Sequence, residues 1–384
     1  MTILLDIEGL TDQETDHALE LIYKALGDGD DDTLWDQHPS PLVRRLIELF
    51  TQRGMMRMDA VRKELAAWLV GNRYEPDHVA PRPDGAMLRW TPEELKLVRF
   101  YLTALPPDQF TLDDQMLLVD YLVHRYLPAD AMRSEAEWLT TRAVLMGRVQ
   151  ANMAAEATTA QADKVMAAMP LTVRAAQSAF RLSPRQLATL NFAASRAADR
   201  VQKVSDDARY RLRNAIRIHT EKQTLGDPTA TGQSLQTKLL DEFGALNRDW
   251  RRIAVTEAGE ALNQGVVAST PPGHHLKRVE QYRGACAFCR SIDGRVMEVV
   301  PADEPVKNGD TQVWPGKTNI GRSASPKKRV GRGFAERPES DRYWVAAGVQ
   351  HPNCRGRWTH VDDPREGDDL EFAAWLKQTL SGQQ

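Results

Sequence analysis

The sequence predicts a mainly α protein, with a multi-helical N-terminal region followed by a small α+β C-terminal module. Two observations carry this. Apolar residues recur at three- and four-residue steps through the first two-thirds of the chain. Near Ser269 that pattern gives way to Thr270-Pro271-Pro272-Gly273 and to short β-like pieces such as Arg295 to Val300. The 384 residues suggest about two or three domains. Hydrophobic residues at 42%, charged residues at 27%, 24 Gly and 21 Pro are ordinary globular usage, so collagen-like and low-complexity classes are excluded. A formal net charge of -3 excludes a uniformly basic, histone-like protein, and any nucleic-acid contact must be local.

The first residues, Met1 to Glu8, carry acids where a secretory leader would be basic, and no apolar run approaches the ~18 residues of a membrane span. A soluble chain with no membrane partner is expected. Asp28, Asp30, Asp31 and Asp32 form a Gly-punctuated acidic cluster without the closing bidentate acid of a calcium loop, so it reads as a solvated connection.

From Pro41 to about Val70 the spacing of Leu42, Val43, Leu46, Ile47 and Phe50, then Val61, Leu65 and Trp68, predicts a helical hairpin. Thr91-Pro92-Glu93-Glu94 opens the next helix, with Thr as N-cap, Pro at N1 and acids in the first turn. Further helices are expected over about Asp113 to Tyr126, Met132 to Met169, Ser183 to Val204 and Asp207 to Gln223. The stretch from Arg133 to Met169 has small residues on more than one face and reads as a long helix packed against neighbours or another chain. Leu370 to Leu380 reads as a last amphipathic helix. The organisation expected is therefore a helical region over 1–130, a long-helix connection over 131–206, a module over 207–361 with a basic insertion at 301–350, and a helix and tail over 362–384.

All three cysteines lie in the last third. Cys286-Ala-Phe-Cys289 is a C-x-x-C and His351-Pro-Asn-Cys354 an H-x-x-C, the short gaps with which each half of a tetrahedral Cys3His site grips one ion. An odd count does not suit a disulfide framework, so a reducing compartment and structural Zn are expected, the alternative being a reduced thiol cluster. Closing the loop of about sixty residues costs several kcal/mol, against about 10–16 kcal/mol from structural zinc, so the ion can clip the module. Four protein donors would leave no position for an activated water. A thioredoxin-like role is disfavoured because no clear amphipathic helix follows Cys289 in a βαβ setting.

Between the half-sites, Gly321 to Gly333 carries Arg322, Lys327, Lys328, Arg329 and Arg332 and no acid. It reads as a flexible basic loop and a candidate DNA contact, or else as a solvated surface loop. Trp314, Tyr343 and Trp344 flank it and could stack on bases or fill a thin core. The helix from about Asp249 to Gly265 places Glu257 on the apolar stripe of Trp250, Ile253, Ala254 and Ala261, where a carboxylate needs an Arg, a backbone donor or a hydroxyl.

Arg252-Ile253-Ala254-Val255-Thr256-Glu257 with Asn263 and Gly265, then Cys286-x-x-Cys289, Asp293-Gly294 and His351-Pro352-Asn353-Cys354-Arg355, resembles the phage Mu F-type head-morphogenesis family of minor head or minor capsid proteins. The resemblance covers about residues 207–358. It implies a tailed-phage protein made in the host cytoplasm, carried in the virion at the portal vertex, and active without catalysis in head assembly or DNA delivery. Its partners would be the portal protein and other head proteins, with packaged double-stranded DNA as a candidate. By the same resemblance Cys286, Cys289, His351 and Cys354 are the metal-type residues, and Arg252, Thr256 and Glu257 belong to the preceding structural helix. Two departures stand out: the path between the half-sites is longer, and Tyr282-Arg283-Gly284 precedes the first cysteine. The competing reading is a zinc-dependent nuclease of treble-clef type, for which His274, His275 and His360 are the nearby histidines and an open metal site would be needed. A cytidine-deaminase reading fails because no H-x-E precedes a P-C-x-x-C.

Overall fold

The structure, a computed structural model, describes residues 36–83, 90–153, 156–330, 333–361 and 370–381. The acidic cluster at Asp28 to Asp32 and the Arg332 position lie outside the described residues. In chain order the helices are α1 (Pro41–Leu69), α2 (Pro92–Ala104), α3 (Leu112–Tyr126), α4 (Ala129–Ala151), α5 (Thr159–Ala168), α6 (Val173–Ala179), α7 (Pro184–Thr224), α8 (Gly232–Ser269), α9 (Ala287–Ile292) and α10 (Leu370–Ser381). The strands are β1 (His275–Val279), β2 (Val296–Val299), β3 (Gln312–Val313), β4 (Lys327–Val330), β5 (Gly333–Glu336) and β6 (Arg357–His360). The protein is mainly α, with a small mixed sheet in its C-terminal region, as its sequence predicts. Among the described residues no helix is long and apolar enough to cross a membrane.

Helix boundaries differ from expectation at four places, each for a local reason. Pro41 to Leu69 is one helix rather than a hairpin. Gly54, which costs about 1 kcal/mol in a helix interior, does not break it because the Trp250 indole of α8 fills the space where a side chain would stand. Trp250 stacks on Phe50 with ring centroids 4.6 Å apart and donates its indole N–H to the Phe50 carbonyl at 2.9 Å. The stretch expected as one helix from Met132 to Met169 is two, because α4 ends at Asn152, whose amide caps the Arg148 carbonyl, and Thr158 starts α5 with its own capping box. Conversely, Ser183 to Gln223 forms the single 41-residue α7, about 60 Å long, with residues 204–207 in mid-helix. The helix expected over Asp249 to Gly265 extends over Gly232–Ser269. Capping boxes at Thr91, Thr111, Ser183 and Thr231 fix four of the helix starts.

α4 packs against α7, α8 and α1, and residues 139–151 are buried throughout, which is what small residues on several faces permit. At its crossing with α8, Gly147 faces the Leu262 carbonyl and Gly265 faces the Val144 backbone so closely that neither could carry a Cβ. Buried carboxylates fasten the bundle: Glu135 of α4 takes Arg53 and Arg57 of α1, and Asp120 of α3 takes Arg209 and Arg213 of α7. α10 lies beside α5 and docks Phe372 edge-on to Phe180.

The four-stranded sheet has the order β3-β2-β1-β6. β1 is antiparallel to β2 (Leu276 opposite Met297) and to β6 (Arg278 opposite Trp358), and β2 runs parallel to β3. Leu276, Met297, Val299, Val313 and Trp358 are buried and join the helical core directly, and a smaller apolar cluster surrounds Cys289 and Cys354. The basic stretch, expected as a flexible loop, is instead a β4–β5 hairpin with Lys327 opposite Glu336 and Arg329 opposite Phe334.

A candidate metal centre seated on a helix

Two turns form the centre. Cys286 is the N-cap of α9 and its sulfur accepts the Cys289 N–H at 3.4 Å, so the C-x-x-C is shaped by the start of a short helix that the sequence did not reveal. The second turn, His351 to Cys354, needs a left-handed residue, and Asn353 supplies it at φ 64°.

The turns meet. His351 Nε2 lies 3.4 Å from Cys286 Sγ and 3.2 Å from Cys289 Sγ, and Cys289 Sγ lies 4.0 Å from Cys354 Sγ. A tetrahedral ion with Zn–S of about 2.3 Å and Zn–N of about 2.0 Å sets its ligand atoms about 3.5–3.8 Å apart. The two His351 contacts fall just short of that range and the Cys289–Cys354 contact just beyond it, so small shifts would bring the donors onto one ion. The imidazole is oriented for ligation by its second nitrogen. Its Nδ1–H donates to the Pro352 carbonyl at 2.8 Å, which leaves the Nε2 lone pair facing the thiols. The Cys286, Cys289, His351 and Cys354 group can therefore hold a metal ion.

A buried ion pair backs Cys354. Arg278 of β1 and Glu280 have fully buried side chains joined by Nε to Oε1 at 2.7 Å, with the guanidinium 3.9 Å from the Cys354 sulfur. Burial works to push the Cys354 thiol up, but the hydrogen bond from Cys289 and the Arg278 charge outweigh it and hold Cys354 well below the usual cysteine value. The Cys289 thiol moves up, through its hydrogen bond to Cys354 and then burial. Burial likewise raises the Glu280 carboxyl, with Arg278 pulling against it. Sequence reasoning passed over Arg278 and Glu280. Their signal was the two-residue alternation Leu276, Arg278, Glu280, which puts all three on the inner side of one extended segment.

α8 is the seat. The Thr256 hydroxyl accepts the Asn353 N–H at 2.9 Å, Glu260 accepts the Val349 N–H at 2.7 Å, and Asn263 donates to the Gly356 carbonyl at 2.8 Å. Glu257, buried on the apolar stripe as its spacing predicts, pairs with Arg196 of α7 at 3.3 Å, and the same arginine reaches Glu260 at 2.7 Å. Burial raises the Glu257 carboxyl, against the pull of Arg196. The Arg252 side chain takes no part in this seat. It is exposed, pairs with Asp249 at 3.3 Å, and lines with Arg196, Arg200, Tyr343 and His351 a cavity of about 360 Å³ between the helices and the module.

Of the candidate DNA-contact residues, Lys327, Lys328 and Arg329 stand exposed on β4. Arg322 turns inward, over the Trp344 ring at 3.7 Å and onto the Arg342 carbonyl at 2.9 Å, and so braces the base of the hairpin. Trp314 and Trp344 meet edge to face with centroids 5.4 Å apart, and the buried Lys317 ammonium lies 4.8 and 4.9 Å from the two ring centres, so these half-buried rings are engaged within the module rather than held out as stacking platforms. His274, His275 and His360 belong to neither metal-type group among the described residues.

Fold and site together define a mainly helical protein whose small mixed-sheet module carries a Cys/His group able to hold a metal ion. Comparison with family models, with curated proteins and with solved structures finds no match.

Proposed function

We propose that this chain is a non-enzymatic phage minor head protein of the Mu F type, acting at the portal vertex in head assembly or DNA delivery. The observation that carries the reading is spatial. Thr256 and Asn263 of α8, the C-x-x-C and the His-Pro-Asn-Cys turn are scattered over about a hundred residues, yet they meet around one point. Thiolate and imidazole donors at these separations suit Zn above harder cations. With all four bound, the ion would be saturated and its contribution would be to fasten the two turns, not to activate water. The helical body then serves to dock the portal and other head proteins in the host cytoplasm, and the exposed β4–β5 hairpin faces packaged DNA in the virion.

Co-expression with a portal ring tests the reading. The chain should co-purify with the ring at a low, fixed ratio and carry zinc. Absence of any portal association, or plasmid cleavage with divalent metal that is lost in His274→Ala or His360→Ala, would overturn it.

A further inference from the structure

The cysteines belong to two overlapping donor sets, not one. Cys286, Cys289 and His351 form the first. Glu280, Cys289 and Cys354 form the second, with ligand atoms within 4.8 Å of one another and all three residues buried. By composition each set could attract its own cation, with Cys289 shared between them.

The second set already has a cation. All three guanidinium nitrogens of Arg278 are engaged there: Nε donates to Glu280 Oε1 at 2.7 Å, one terminal nitrogen to the Gly348 carbonyl at 3.1 Å, and the other faces Cys354 Sγ at 3.9 Å. The Trp358 ring stands 5.2 Å from the guanidinium carbon, and the side chain has no exposure. The Glu280 carboxylate fills the space where Gly356 lacks a Cβ, so neither partner of the pair has room to turn away. A metal bound to Glu280 and Cys354 would have to displace a guanidinium that already satisfies both and that cannot lose its proton.

Resting on the reading that the Cys/His group holds a metal, we infer that Arg278 is the built-in cation of the Glu280, Cys289 and Cys354 set and a positioning residue for Cys354. It limits the cluster to a single ion on Cys286, Cys289, His351 and Cys354. Arg278 also bridges the strand that precedes the first half-site to both flanks of the second, at Gly348 and Cys354, and so holds the second turn in register for the ion.

Titration of the full chain with Co²⁺ and Zn²⁺, read by native mass spectrometry and by the thiolate-to-cobalt absorption band, tests this. Wild type should take one equivalent, and Arg278→Lys, which keeps the charge, should also take one. Arg278→Met should either bind at least tenfold more weakly or admit a second equivalent, with a shifted absorption band. One equivalent in Arg278→Met at less than a tenfold loss, or two equivalents in wild type, would overturn the inference while leaving the metal reading intact. Should Arg278→Met fail to fold, Glu280→Gln decides. Less than a tenfold change in affinity supports the assignment, whereas a larger loss makes Glu280 a ligand and overturns it. Wild type that binds no metal refutes the metal reading itself and this inference with it.

Discussion

Thr256 and Asn353, separated by 97 residues of chain, share one hydrogen bond: the Asn353 N–H donates to the Thr256 hydroxyl at 2.9 Å. The same hydroxyl donates to the Arg252 carbonyl of its own helix at 2.7 Å, so a single oxygen ties the second metal-type turn to α8. Thr256→Val keeps the shape but strands the half-buried Asn353 donor, at a cost of about 1 kcal/mol, the lower end of the range for an unsatisfied group. Urea unfolding should show that loss and a chelator should strip metal faster, whereas Thr256→Ser should behave as wild type. Equal stability in the valine variant would remove Thr256 from the seat.

Gly348 sits where the Glu260 carboxylate presses against the backbone, and a Cβ there would overlap it. Glu260 cannot retreat, because it holds the Val349 N–H, Gln264 and Arg196 at once. Gly348→Ala should lower stability by about 1–3 kcal/mol, the usual range for overpacking. Gly232, at the start of α8 with nothing near it, provides the control, and its alanine variant should be neutral or more stable. Thermal unfolding that fails to separate the two variants would contradict the close approach.

What the sequence conveyed, and what it did not, follows from the range of each interaction. Local signals were readable: Thr91 with Glu94 is a capping box visible in four residues, and the stripe position of Glu257 needs only helical periodicity. The two-residue gaps of C-x-x-C and H-x-x-C likewise pointed to the thiols and imidazole that the fold brings together. Continuity across residues 204–207 and through Gly54 was not readable, because partners from elsewhere in the chain meet those stretches: the Leu127 carbonyl takes the Ser205 hydroxyl, Asp120 takes Arg209, and Trp250 fills the space at Gly54. The Arg278–Glu280 pair was hidden for another reason. Charged residues at a strand end look solvated until the strand is known to be flanked by β2 and β6. Arg322 reads as one more surface cation in a basic run, and only its fold-back onto Trp344 shows it to be a brace.

Lys317 gives the module a pH signature. Burial pushes its ammonium down to about 7 with Arg322 adding to the shift, while Asp310 pulls against it. Its acceptors are the Gly309 and Gln312 carbonyls at 2.7 and 2.8 Å. Because the folded value lies below that of an unfolded lysine, about 10.4, the unfolded chain binds more protons between those two values, and stability rises with pH across that window. Below the folded value the charged form is held in both states and the penalty is constant. Comparing wild type with Lys317→Met by denaturant unfolding between pH 7 and pH 10 should show the lysine-dependent rise in wild type alone. Parallel pH curves would show that the tryptophan faces and carbonyls keep the ammonium charged throughout.

The β4–β5 hairpin is built to be reached. Every described residue of both strands is exposed, Phe334 is 75% accessible, and the ribbon's acid, Glu336, is tied to Arg342 at 3.1 Å. A two-stranded ribbon is one of the shapes the DNA major groove admits, and Lys327 and Lys328 point to opposite faces of this one, so it can address phosphates on both sides. Their removal should leave folding untouched, since neither is buried. Removing one lysine–phosphate pair should lower the salt dependence of duplex binding by about one unit in the log–log slope, so Lys327→Ala with Lys328→Ala should flatten it by about two. Measured by fluorescence anisotropy across a salt series, affinity should fall for every sequence alike, because phosphate contacts position without reading bases. An unchanged slope would take the hairpin off the DNA, and a loss confined to one sequence would mean that the lysines read bases instead.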